Sequence, residues 1–151
     1  MDFRPLRVAV LVGGGIVLGL AWNALSGRGF ALTSNVLVKP GDELVEVAEA
    51  KTRLERGALF LDARDAPFYE MAHIPGALNL PEEHFDEAFA RLEPRLRSSL
   101  DVVVYCSGFG CDASHIVARK LKERSIPAAI LHEGWPAWED AHYPTREGKD
   151  P

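Results

Sequence analysis

The chain has 151 residues, 47% of them apolar, and a formal net charge of −5 at pH 7. That length holds one compact domain with a short appendage. The bases are scattered among acids, which excludes nucleic acid as the main partner, because phosphate binding needs a concentrated basic surface.

The apolar residues are unevenly spread, and the first concentration is at the N-terminus. Val8 to Trp22 reads VAVLVGGGIVLGLAW without a charge. Extended to Leu25 it reaches the ~18–20 residues that a helix needs to cross hydrocarbon. Gly13, Gly14, Gly15 and Gly19 weaken a soluble helix, but glycine is frequent in membrane helices. Residues 1–25 are therefore expected to form a transmembrane anchor. The competing reading is a signal segment cleaved near Ala24-Leu25-Ser26, which fits a small-x-small site. Arg4 and Arg7 precede the run and only Arg28 follows closely, which keeps the N-terminus in the cytoplasm and exports the remainder. Secretion after cleavage, or a domain on the cytoplasmic face, are the alternatives. Residues 26–40 then serve as a linker, 41–146 as the folded domain and 147–151 as a tail.

Within the domain, Pro40-Gly41 marks a turn and Asp42 caps an expected helix to about Arg56, with Leu44, Val47, Ala48 and Leu54 at helical spacing. Gly57 stops it. Short apolar runs at 58–61, 102–105 and 128–131 have the look of buried parallel strands, and 77–80 adds another. Helical patterns fall between them, at about 66–72, 83–92, 113–124 and 135–141. Strands alternating with helices imply an α/β three-layer domain, a parallel sheet covered on both faces. Ligands of such sheets bind where the loops gather at the carboxyl ends of the strands.

The loop Cys106-Ser107-Gly108-Phe109-Gly110-Cys111 begins at such an end and leads into a helix that Asp112 or Ser114 can cap. Gly108 and Gly110 let it curl so that backbone N–H groups point inward, and the helix N-terminus adds partial positive charge. A cysteine at the base of this cradle is favoured as the attacking thiolate. The bland alternative, an inert cysteine packed at a strand end, does not account for the glycines and the following helix. Cysteine plus anion cradle is common to sulfurtransferases and cysteine phosphatases, and the bare pattern does not separate them.

Asp62-Ala63-Arg64 after a strand, then Ala72-His73-Ile74-Pro75-Gly76-Ala77, the cysteine loop, and Glu133-Gly134-Trp135-Pro136-Ala137-Trp138 together resemble the rhodanese family in order and spacing. The resemblance covers roughly residues 41–146. It implies a five-stranded parallel sheet between helices, and a cysteine that takes sulfane sulfur from a small anionic donor such as thiosulfate. The sulfur passes as a persulfide to a thiol or protein acceptor, without cofactor or metal. Cys106 is then the nucleophile, and the backbone of Ser107, Gly108, Phe109, Gly110 and Cys111 forms its pocket. Asp62, Arg64 and His73 are implied to be structural near the site.

The chain departs from the family pattern at several positions. Cys111-Asp112 stands where many members carry a basic residue, and a negative Asp112 beside the pocket weakens anion binding unless it turns away as a helix cap. The absence of a loop-ending arginine argues against phosphoryl transfer, which needs cationic clamping of the phosphoryl oxygens. Two cysteines are too few for a disulfide framework, and without a second thiol pair or a histidine set they are no zinc site. Cys111 is either a resolving thiol for Cys106 or a space-filler at the helix start. Trp135 and Trp138 are expected to pack the last helix on the core, and Glu82, Glu83, Asp86 and Glu87 to form a solvated helix face. His115, His132 and His142 have no ligand-like spacing. The leading expectation is a sulfurtransferase. The alternative is a catalytically weak, membrane-tethered module that senses redox state or binds a partner.

Overall fold

The computed structural model describes residues 12–19, 21–22, 40–108 and 110–151. The chain separates into two units, 1–36 and 37–151. In the first, residues 12–19 and 21–22 are helical and exposed. Among the described residues no helix is long and apolar enough to cross a membrane. The rest of the expected anchor, the linker up to residue 39, and Phe109 lie outside the described residues.

The second unit alternates strand and helix throughout. The strands are β1 (Glu43–Val45), β2 (Leu59–Asp62), β3 (Leu78–Asn79), β4 (Val102–Tyr105) and β5 (Ala129–Leu131). The helices are α1 (Val47–Glu55), α2 (Ala66–Met71), α3 (Phe85–Ser98), α4 (Ala113–Glu123) and α5 (Gly134–Asp140). The five strands form one parallel sheet in the order β1-β5-β4-β2-β3.

One expectation is corrected here. The single helix from Asp42 to about Arg56 is instead a strand followed by a helix. Glu43, Leu44 and Val45 pair with Ala129, Ile130 and Leu131 of β5. Backbone pairing along the β5 edge outweighs the helical spacing, which Leu44 and Val47 satisfy by coincidence. This hidden strand completes the five that the resemblance implied. Helix α3 also runs further than its pattern, to Ser98, carrying Pro94 inside it.

Strand parity distributes the core to the two faces of the sheet. Leu59, Leu61, Val102, Val104 and Cys106 pack with Phe85, Phe89, Val117 and Leu121 beneath α3 and α4. Phe60, Val103 and Tyr105 pack with Val45, Ala50, Ile74 and Trp138 on the α1 and α5 side. Every residue of β2 and β4 is buried, as a strand covered on both faces requires. The same alternation that sends Tyr105 to one side sends Cys106 to the other.

Tyr105 is fully buried, and its hydroxyl accepts the Ile74 N–H at 3.2 Å. Burial, and then the negative charge of Asp62, push its phenol well above the usual value of 10.0. The folded chain thus keeps a proton that the unfolded chain releases above that value, and stability falls as pH rises from about 10 towards the folded pKa. Denaturant unfolding between pH 9 and 11 is expected to show this loss, at up to about 1.4 kcal/mol per pH unit from this group. In Tyr105→Phe the slope is shallower, and stability at neutral pH is lower by about 1 kcal/mol through the lost hydrogen bond.

Candidate active site

The connections from β2 to β3 and from β4 to β5 leave in opposite directions, so the carboxyl ends of the adjacent strands β2 and β4 flank the topological switch point. In open α/β sheets that crevice is where ligands bind. A cavity of about 200 Å³ opens there, lined by Ala63, Arg64 and Asp65 after β2, and by Cys106, Ser107 and Cys111 after β4. Phe68, Glu82, Glu83 and Ala113 complete its wall.

Cys106 is 3% exposed and is joined to Cys111 by a disulfide with a Cα–Cα distance of 6.3 Å. Ser107 Oγ lies 3.9 Å from Cys106 Sγ. Gly108 and Gly110 take φ angles of 111° and 85°, the left-handed region that the curled loop needs. In this disulfide form the Cys111 N–H is satisfied inside the loop by the Gly108 carbonyl at 3.0 Å. The Asp112 side chain makes no cap, contrary to expectation. Its ψ of −18° is already helical, whereas a capping side chain reaches the first-turn N–H groups from an extended backbone.

The base of the loop is fixed from behind. Trp135 N–H donates to the Cys106 carbonyl at 2.8 Å. Gly134, at φ 66°, comes so close that a Cβ there would lie 2.5 Å from both Cys106 O and Gly108 N. Glycine at 134 is therefore a condition for the start of α5 to approach the cysteine loop.

Arg64 forms the third wall. Its Nε and Nη2 meet both oxygens of Asp62, at 3.0 and 2.6 Å, and Nη2 also donates to the Ala72 carbonyl at 2.7 Å. The guanidinium lies over the Trp135 ring at 4.6 Å. Burial works against its charge, but the hydrogen bonds and charge of Asp62 overcome that, and the pKa ends above the ordinary arginine value. His73 is placed elsewhere. Wholly buried, it stacks on Tyr69 at 3.9 Å and donates from Nδ1 to the Tyr69 carbonyl at 2.8 Å, while its backbone bridges Arg146.

The family model of the rhodanese-like domain matches residues 46–141. The chain belongs to the rhodanese-like domain family. Among curated proteins it is 33% identical to the adenylyltransferase and sulfurtransferase UBA4 of Eremothecium gossypii, over 64% of this chain and 24% of that protein. It is 31% identical to an HTH-type transcriptional regulator of Mycobacterium tuberculosis, over 76% of this chain and 49% of the regulator. It thus spans about half, or less, of the length of these relatives. Among solved structures it resembles the rhodanese-like domain of an Anabaena protein, with a TM-score of 0.58, 27% identity, and 72% and 81% of the two chains covered. A thiosulfate sulfurtransferase from Pseudomonas aeruginosa gives a TM-score of 0.57 at 26% identity, over 72% and 21% of the chains.

Several residues around this rhodanese-like cavity escaped the sequence reading. Glu82 and Glu83 were expected on a solvated helix face, but they precede α3 and line the cavity with Asp65. Trp135 packs against Arg64, and a second groove of about 410 Å³ runs between it and the exposed Phe68 and Met71. Spacing offered no signal for these residues, because they come from three separate connections. His115, in the first turn of α4, forms a pair with Asp42 at 2.8 Å and lines a different cavity.

Arg64 and Asp62 have side chains only 6% and 0% exposed. Removing one partner leaves an uncompensated buried charge, so Arg64→Met is expected to lower stability by about 3–5 kcal/mol in urea titration. Adding Asp62→Asn to it is expected to recover part of that loss.

Proposed function

We propose that this domain is a sulfurtransferase in which Cys106, in its reduced form, attacks a sulfane donor and carries the sulfur as a persulfide. The observation that carries the reading is the position of Cys106, at the carboxyl end of the central strand, facing the cavity at the switch point. Membership of the rhodanese-like family and the likeness to two sulfurtransferases support it. Ser107 and Cys111 line the pocket, Gly108 and Gly110 curl the loop between them, and Arg64 with Asp62 holds its wall. The persulfide is discharged by a thiol, carried in the loop or on a molecule that docks on the groove edged by Phe68 and Met71.

Electrostatics narrows the donor. Asp65, Glu82 and Glu83 line the cavity, and the positive charge of Arg64 is already matched by Asp62. A dianion such as thiosulfate enters against three carboxylates, so a donor of lower charge, such as an organic persulfide, is the better substrate. The apolar run Val8–Trp22 supports a domain tethered to a membrane on its exported side.

The second reading, a redox-sensing or partner-binding module, is favoured by the Cys106–Cys111 disulfide and by the likeness to a transcriptional regulator. One experiment separates the two. The reduced protein is incubated with thiosulfate or an organic persulfide, and released sulfite or thiol is quantified together with intact mass. Release of sulfite or thiol that vanishes in Cys106→Ser supports the enzyme; neither release nor a sulfur adduct from either donor supports the module. For the enzyme, Glu82→Gln/Glu83→Gln is expected to lower the KM for thiosulfate about threefold at low salt, and less as ionic strength rises.

A further inference from the structure

We infer that Cys111 resolves the Cys106 persulfide within the loop, so that the domain releases sulfide and returns to its reduced state most readily through a dithiol reductant. The inference rests on the sulfurtransferase reading above and assigns the fate of its intermediate.

The two cysteines are five positions apart and already joined, so the Cys111 sulfur reaches Cys106 Sγ without displacing any strand or helix. Nothing else in the described wall of the cavity offers a thiol. The cavity in front of Cys106 is small and edged by Asp65, Glu82 and Glu83, whose charges hinder an external thiolate. Cys111 belongs to the same short loop, so its attack is intramolecular and gains the large effective concentration of a tethered group.

With thiosulfate as the donor the steps balance. The Cys106 thiolate attacks the sulfane sulfur, the S–S bond of thiosulfate breaks, and sulfite leaves with the bonding pair. The Cys111 thiolate then attacks Cys106 Sγ, and the bond from Cys106 to the outer sulfur breaks. That sulfur leaves with its electron pair as hydrosulfide, taking up the proton that the Cys111 thiol gave up. Two thiols are oxidised to a disulfide, and one sulfane sulfur is reduced to sulfide.

Return to the reduced state needs two electrons, supplied by a compound or protein bearing two thiols. The unequal exposure of the two sulfurs sets the direction of attack. Cys111 is half-buried while Cys106 is closed off, so the reductant forms a mixed disulfide with Cys111 and Cys106 leaves as the thiolate that starts the next cycle. The second thiol of the reductant then frees Cys111.

The test is a single-turnover experiment without air on the full reduced chain, freed of reductant and given thiosulfate labelled in its sulfane sulfur. Wild type is expected to release sulfite and labelled sulfide in equal amounts, one of each per chain. It then stops as a species lighter by two hydrogens, and resumes with dithiothreitol about tenfold faster than with a monothiol at equal thiol concentration. Cys111→Ser and Cys111→Ala, checked for native circular dichroism, are expected to release no sulfide and to hold a stable single-sulfur adduct on Cys106, whatever the rate at which sulfite appears. A wild-type persulfide that persists without sulfide, or equal sulfide release from the Cys111 variants, overturns the inference while leaving the sulfurtransferase reading intact. Absence of sulfite and of any adduct in all three proteins overturns both.

Discussion

The ion pair between Asp62 and Arg64 is the constraint around which the site is arranged. A carboxylate at the end of a fully buried strand cannot stay charged alone. It is matched by a guanidinium two residues on, which bonds both of its oxygens. Satisfying that charge fixes the course of the chain after β2, and the remaining donor capacity of Arg64 reaches Ala72, just after α2. Asn79 closes the same corner from β3, donating to the carbonyls of Asp62 and Arg64 at 3.1 and 2.8 Å. The far face of the guanidinium supports Trp135, whose N–H holds the Cys106 carbonyl. One buried charge thus connects three connections of the sheet to the base of the cysteine loop.

The second constraint is steric, and it acts on the backbone. The start of α5 approaches the cysteine loop more closely than any side chain allows, with Gly134 against Cys106 and Gly108. Gly108 in turn sits where a Cβ would meet the Glu133 carbonyl at 3.1 Å and Pro136 Cγ at 3.2 Å. Two glycines from distant segments are therefore a single feature. Each is needed because the other backbone is there, and together they leave the loop facing the cavity.

The parts of the molecule legible in the sequence are those that depend on local pattern. β4 reads directly from Val102 to Tyr105, because a buried parallel strand is a short uninterrupted apolar run. α4 and α5 read from their spacing within a residue or so. The edge strand β1 did not, since three residues ahead of a helix carry too little pattern to show a change of period, and only their pairing with β5 defines them. The candidate site divides the same way. The cysteine loop is contiguous and was visible, whereas Asp65, Phe68, Glu82 and Glu83 meet across the switch point and have no shared spacing. The missing Asp112 cap was a matter of one backbone angle, which residue type does not set.

The negative wall and the paired cysteines bear on the same chemical question. A cavity tuned for a free inorganic dianion would place unpaired positive charge at its mouth. Here Arg64, the one buried Lys or Arg among the described residues, is committed to Asp62, and three carboxylates line the opening. The same charges discourage an external thiolate from approaching a persulfide on Cys106. A resolving thiol carried within the loop meets neither obstacle, since its attack requires no charged species to cross the rim. The acidic rim and the second cysteine are thus consistent with one another. Sulfur entering such a site leaves most readily as sulfide, and the electrons that release it come from the loop itself.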